Sequence, residues 1–248
     1  MKKNLIFIFA IFAIFLLSCD SDPQEKDTII DVCTSMDDLI FMQYCYENFD
    51  VNKDGKVSLS EANAVKTISV PSKEIQSLKG IQHFENLTKL DCSNNSLNTL
   101  DVSHNSKLIN LYCYGNLLTS LNVSRCTTLT SLDCHFNQLT NLIVSGCIAI
   151  TYLDCQSNLL NSKALDSLYE SLPTILSPHS GLIDISNNPG VFDCNIEIAN
   201  DKGWIVKGKE SNAQQKLKEE KEAIDRFIGI IPQTLWSQSF FMHKYFVI

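Results

Sequence analysis

The chain has 248 residues, 44% of them hydrophobic, and a formal net charge of −8 at pH 7. That length holds one core-bearing body and a small appendage, and the acidic balance gives no support to nucleic-acid binding. From the N-terminus, Lys2 and Lys3 precede thirteen apolar residues, Leu5 to Leu17, then Ser18 and Cys19. A basic start followed by a short apolar run marks a secretory signal, and this run is too short to span a bilayer. Residues 1–18 are therefore expected to be cleaved, which takes the net charge from −8 to −10. The acidic, proline-containing run from Asp20 to Asp27 cannot pack, so 19–34 reads as a flexible tether.

Leu16-Leu17-Ser18-Cys19 resembles a bacterial lipobox. The resemblance implies that Cys19 becomes the acylated first residue of an outer-membrane lipoprotein, held durably by two or three acyl chains. An acidic run directly behind such a cysteine also resembles the surface-export signal of Bacteroidota lipoproteins, which implies a place on the cell surface. A plain solvated tether has the same composition.

Residues 35–66 form the next unit. Ser35 and Asp38 are placed to cap an incoming helix, and Ile40, Cys45 and Phe49 give it apolar positions. Asp50, Asn52 and Asp54 then alternate, followed by Gly55, Lys56, Ser58 and Glu61. This spacing matches all of the twelve-residue EF-hand loop. Asp50, Asn52 and Asp54 would supply side-chain oxygens, Lys56 a carbonyl, Ser58 a direct or water-mediated contact, and Glu61 both carboxylate oxygens. Hard Ca2+ is the ion that such an all-oxygen shell selects, and it would offset three mutually repelling carboxylates. The stretch resembles EF-hand proteins; dockerin-type loops look similar but come in tandem and usually end in Asp. With a single loop in the chain, the expected role of calcium is structural: the site caps the stack of repeats on its C-terminal side.

That stack, 67–207, is the longest unit. A 21-residue repeat beginning at Leu87 restarts at Leu108, Leu129 and Ile150, giving rungs 87–107, 108–128, 129–149 and 150–170. Three columns never slip: Cys92, Cys113, Cys134 and Cys155; Asn95, Asn116, Asn137 and Asn158; Leu97, Leu118, Leu139 and Leu160. A fixed period of this length means a unit that buries its apolar side only by stacking on copies of itself. Leu90 and Cys92 alternate with Asp91 and Ser93, so each rung opens with a short strand. Ile68 and Val70 read as the inward residues of an atypical first rung, and the Asn column, Asn188 included, serves backbone groups that would otherwise be buried unpaired.

Ten cysteines in an exported chain would ordinarily suggest disulfides. Here parallel side chains on rungs about 4.8 Å apart are badly placed for S–S bonds. The Cys92 column and the shorter Cys126, Cys147 column are read as small buried hydrophobes, leaving Cys33, Cys45 and Cys194 undetermined. The pattern L-x-x-L-x-C-x-x-N-x-L resembles the short leucine-rich repeats of internalin-like and Bacteroidota surface proteins. It implies an α/β repeat solenoid, with the EF-hand as a helical N-terminal cap. The far end departs as a cap should: a helix from Ala164 to Leu172 leads out of the last rung into the cap, 171–207, with a last strand around Ile183 and Ile185, a closing helix and strand from Asp193 to Val206, and Trp204 as lid.

Side chains alternating outward from the strands include Asp91, Tyr112, Tyr114, Asp133, His135, Phe136, Tyr152, Asp154 and Gln156. Grouped aromatics on such a face mark a binding patch, and His135 has no second histidine in register. The tail, 208–248, carries a charged helix from Lys209 to Glu222 with an apolar edge to Ile228, ended by Pro232. It faintly resembles the first helix of peptidyl-prolyl-isomerase-like domains, and is expected to be truncated or poorly packed. No Ser/His/Asp set, metal triad or phosphate loop is legible, so the chain is expected to be a non-enzymatic, calcium-binding surface lipoprotein. Its concave face would bind a protein or glycan. The alternatives are a rigid spacer presenting another domain or, more remotely, the remnant of an enzyme.

Overall fold

A computed structural model describes residues 30–209 and Lys221. The signal 1–18, Cys19 and its acidic run, and the tail beyond Lys209 except Lys221 lie outside the described residues. The packed body begins earlier than the tether reading implied. Asp31 forms an antiparallel bridge with Ser58, and Val32 and Cys33, in the 3-10 turn Val32–Ser35, are buried. Residues 31–34 therefore belong to the fold. Burying a side chain such as Val32 gains about 1.5–3 kcal/mol, which offsets ordering one residue at about 1–2 kcal/mol.

Helix α1 (Leu39–Phe49) is capped by Asp38, whose Oδ1 accepts the Ile40 and Phe41 amides at 3.0 and 2.9 Å. Ser35 is not part of that cap; it donates to the Val32 carbonyl at 2.8 Å and closes the preceding turn. Ile40 stays exposed, and Phe41 with Cys45 faces the core instead. Helix α2 (Leu59–Ala64) starts under a reciprocal capping box of Ser58 and Glu61.

From Thr67 the chain winds as a solenoid. Strands β1 (Thr67–Ser69), β2 (Lys89–Asp91), β3 (Thr99–Asp101), β4 (Asn110–Tyr112), β5 (Ser120–Asn122), β6 (Ser131–Asp133), β7 (Tyr152–Asp154), β8 (Gly181–Asp184) and β9 (Trp204–Lys207) form two parallel sheets. The larger runs β1-β2-β4-β6-β7-β8-β9, and the smaller is β3-β5. Leu90, Leu111, Leu132, Leu153 and Ile183 stand in register along the larger sheet. All are fully buried, as are Ile68 and Val70 of the first rung.

The Asn column joins the rungs. Asn116 accepts the Leu97 amide of the preceding rung at 3.0 Å and donates to the carbonyls of Cys92 and Cys113, both at 3.0 Å. Asn137, Asn158 and Asn188 repeat the pattern. Asn95 does the same for Val70 and Cys92, accepting from Lys73 and Ile75. The cysteines add a weaker form of this bond. Cys134 and Cys155 aim their thiols at the Asp154 and Asp184 carbonyls, and Cys126 and Cys147 at those of Val102 and Val123. One rung earlier Asn105 holds the second position, donating to Ile81 and Phe84. The cysteine columns are therefore donors as well as apolar filler.

At the far end, helix α3 (Ser162–Ser171) buries Leu165, Leu168 and Tyr169. Helix α4 (Glu197–Asn200) leads into β9, where Trp204 is buried and its indole donates to the Pro173 carbonyl at 2.8 Å. Removing a ladder amide should hurt more than its size suggests. Asn116→Ala strands the buried Leu97 amide, at about 1–3 kcal/mol, and takes one of two amide donors from each of the Cys92 and Cys113 carbonyls, which keep Asn95 and Asn137, so urea unfolding should show a loss of about 2 kcal/mol or more. The exposed neighbour Asn98→Ala should stay within about 0.5 kcal/mol; equal effects would mean that the ladder does not hold the rungs.

Candidate functional site

Two groups of predicted site residues come together separately. In the loop after α1, Lys53 and Gly55 take left-handed φ values of 59° and 82°, bending the chain back on itself. Asp50 accepts the amides of Asp54 and Gly55 at 3.2 and 3.0 Å, and Asp54 accepts that of Lys56 at 2.9 Å. Asn52 Oδ1 accepts the Asp54 amide at 3.0 Å. Glu61 reaches back from α2: Oε1 takes the Val51 amide at 2.9 Å, and Oε2 takes the Ser58 amide and hydroxyl at 2.9 and 2.8 Å. Those bonds, the Ser58 amide first, hold its carboxyl below the usual range. The donors are oxygens, and Lys53 and Lys56 stay exposed. This set can hold a hard divalent cation.

Val57, in the loop's eighth position, has both backbone groups satisfied from outside the loop. Its amide donates to Asp31 Oδ1 at 3.1 Å, and its carbonyl accepts the Val32 amide at 2.9 Å. Asp31 also accepts the Tyr46 hydroxyl at 2.6 Å. The segment Asp31–Val32 thus pairs with the loop, a role that no local pattern signals.

The second group lies on the larger sheet. Asp91, Tyr112, Asp133 and Asp154 are lateral neighbours, and the row continues to Asp184 and Lys207. Sequence reading did not include the last two in the face, although the strand pattern around Ile183 and Ile185 contained the signal. Each aspartate also has a local task. Its Oδ1 accepts the amide two residues on: Ser93 at 3.1 Å, His135 at 3.4 Å, Gln156 at 3.1 Å and Ser186 at 3.0 Å. These are Asx turns that end the strands. Asp101 holds Ser103 in the same way on the smaller sheet.

Not every expected contact residue is equally open. Asp154 is only 7% exposed, so it forms the floor of the face rather than its rim. Burial raises its carboxyl pKa, with Asp133 adding to the effect. Tyr152 is 38% exposed, and its phenol is raised by burial first and then by Asp154, Asp133 and Asp184. Tyr112, Tyr114, His135 and Gln156 are half-buried. Tyr114 stacks on His135, ring centroids 4.6 Å apart and planes 6° apart. His135 Nδ1 meets Asp133 at 2.5 Å and lies 4.0 Å from Asp154 Oδ2. Asp133, His135 and Asp154 thus converge on one point of the sheet.

Phe136 is not on a strand but in the turn beyond, with φ 50° and 60% exposure. Its column holds Asn94, Gly115, Ser157 and Asn187, all at positive φ. Small or Asx-forming residues suit this conformation; a bulky exposed ring does not. Backbone strain of this kind clusters at functional positions.

No protein-family model matches the chain, and no curated protein matches it. Among solved structures, it is similar to an internalin (InlF) from Listeria monocytogenes, with 16% identity over 66% of this chain and 54% of that one, at a TM-score of 0.43. It is also similar to the functional domain of InlJ from Listeria monocytogenes, described as including a cysteine ladder. There the identity is 20% over 68% of this chain and 54% of that one, at a TM-score of 0.34. The chain thus spans about half the length of each. At these scores neither likeness carries weight, and the solenoid stands on its own strand register.

The strain at Phe136 gives a stability test. Phe136→Asn, the residue that Asn94 supplies two rungs earlier, should leave stability unchanged or raise it by up to about 1 kcal/mol. A loss above about 1 kcal/mol in thermal or urea unfolding would show that the ring is packed rather than presented.

Proposed function

We propose that the chain is a non-enzymatic, calcium-stabilised lipoprotein, anchored at the outer membrane and facing outward, whose larger sheet binds a protein or glycan. The observation that carries the binding role is the exposed, strained Phe136 beside the stacked Tyr114–His135 pair. A spacer needs only polar residues there, and nothing in folding rewards a phenylalanine in a left-handed turn. Interface energy concentrates in a few such aromatics. His135 and Asp133 form a pair that elsewhere serves as a base, but among the described residues no nucleophile is hydrogen-bonded to the ring.

Asp50, Asn52, Asp54, Ser58 and Glu61, with the Lys56 carbonyl, are the proposed calcium ligands. Bound Ca2+ would neutralise the loop's carboxylates and lock the Val57 pairing onto Asp31 and Val32. At about tenfold saturation it would stabilise the fold by roughly 1.4 kcal/mol. The anchor, Cys19, precedes that pairing by twelve residues. Calcium would then stiffen the point where the tether enters the body.

A pull-down with the purified protein against host matrix proteins and bacterial glycans identifies the ligand class. The Tyr112→Ala, Tyr114→Ala double variant should fold normally, since both rings leave the sheet outward, yet lose thirtyfold or more in affinity. Retained binding would return the solenoid to the role of a spacer. Millimolar calcium should raise the melting temperature by several degrees, and Glu61→Gln should remove that shift. Glutamine preserves the capping box while losing the bidentate carboxylate, so an unchanged shift would refute the calcium site. Cys19→Ala should abolish acyl labelling and release the protein from membranes; equal membrane retention would reject the lipid anchor.

A further inference from the structure

The centre of the larger sheet has an unbalanced chemistry. Asp91, Asp133, Asp154 and Asp184 stand in one lateral row. The lysines on the strands of this face are Lys89, on β2 next to the first strand, and Lys207, on the last strand, β9. Between them, among the described residues, the only basic group on the strands of this face or directly after them is His135, already held against Asp133. Asp154 is nine-tenths buried in this row, and Gln156 meets it with a backbone amide at Oδ1 and a side-chain amide at Oδ2, both at 3.1 Å; both donors are neutral, and a buried carboxylate is better stabilised by a positive charge. Three tyrosines frame the same spot: Tyr112 beside Asp133, Tyr152 two residues before Asp154, and Tyr114 over His135.

The chain itself shows what such a surface attracts. The Lys89 ammonium lies 5.5 Å from the centroid of the Tyr112 ring, within the range of a cation–π contact. That pairing is independent of the carboxylates and points to the same ligand chemistry. We propose that the centre of this face receives an arginine or lysine side chain from a basic segment of a protein partner, with Asp133 and Asp154 as counter-charges and Tyr112, Tyr114 and Tyr152 as walls. The proposal rests on the larger sheet being a binding face, and it names the partner's chemistry.

A metal ion is the competing occupant, because Asp133, His135 and Asp154 offer one ligand atom each within 4.8 Å of one another. The surroundings favour the organic cation. Both carboxylates already accept turn amides, which fixes their orientation for a hydrogen-bond donor. Aromatic faces stabilise an organic cation directly and contribute nothing to a metal shell. The buried position of Asp154 also suits a guanidinium, which is weakly hydrated and donates in a planar fork.

The test uses the full-length protein and a fluorescein-labelled octapeptide of alternating glycine and arginine, read by anisotropy at 0.15 M salt with EDTA present. A matched peptide with citrulline in place of arginine keeps the shape and removes the charge. The arginine peptide should bind and the citrulline peptide should not. Asp133→Asn and Asp154→Asn, which keep the Asx acceptor, should each weaken binding at least tenfold. Asp101→Asn removes the same charge from an Asx turn on the smaller sheet and should stay within twofold. Tyr112→Leu should weaken binding at least threefold, which covers the case in which an aspartate variant fails to fold. Equal losses at Asp101 would show attraction to net charge alone and overturn the proposal. It is also overturned if the arginine peptide fails to bind while Zn2+ binds with a heat that His135→Ala abolishes. If the Tyr112→Ala, Tyr114→Ala variant loses the natural partner but the two aspartate variants keep it, the binding face stands and its cationic ligand does not.

Discussion

The structure depends on one side-chain amide repeated five times. A solenoid turn buries backbone groups at the corner where each strand ends, and a buried unpaired amide or carbonyl costs about 1–3 kcal/mol. Asn95, Asn116, Asn137, Asn158 and Asn188 answer this with one acceptor and two donors, each aimed at a fixed carbonyl or amide. Because one donor crosses to the preceding rung, every turn is tied to the one before it. The period is therefore set by hydrogen-bond geometry as much as by the leucines. Cysteine suits the inward column beside asparagine because its small side chain fills the narrow corner and its thiol still reaches a carbonyl.

The same device runs along the open side with aspartate. There the carboxylates end the strands by accepting amides two residues on, and they leave a row of negative charge on the sheet. The turn motif and the proposed binding surface thus share the same residues. What separates them is departure from the repeat: tyrosine where other rungs carry aspartate or serine, and phenylalanine where others carry asparagine, glycine or serine. The phenylalanine takes a left-handed turn conformation, and the Tyr114 ring stacks on His135. Both fall in the middle of the face, where the proposed ligand would sit.

At the N-terminal end, the helix–loop–helix unit packs against the first turns of the stack, Phe49 against Phe84. Asp31 alone accepts from Cys33, Val57 and Tyr46, so a single carboxylate ties the entering segment to the loop and to α1. A lone loop of this type lacks a sister loop to pair with, and the Asp31–Val32 segment supplies that pairing. This couples the proposed ion site to the first described residues of the body.

Much of this was legible in the residues. A stack of copies reports its own register, since each rung's neighbours are near-duplicates of itself; hence Leu90, Cys92 and Asn95 could be oriented from periodicity alone. The loop from Asp50 to Glu61 was legible for a similar reason, its oxygens being local in sequence. Tertiary structure decided the rest. It placed Val32 and Cys33 inside the body, sank Asp154 into the floor of the face, put Phe136 in a left-handed turn, and brought His135 against two carboxylates from neighbouring strands. Those features arise where different rungs meet or where the repeat gives way to its caps. A one-dimensional pattern records which side of a strand a residue faces; how deep it lies, and what stands beside it, depend on contacts that exist only after the chain has wound up.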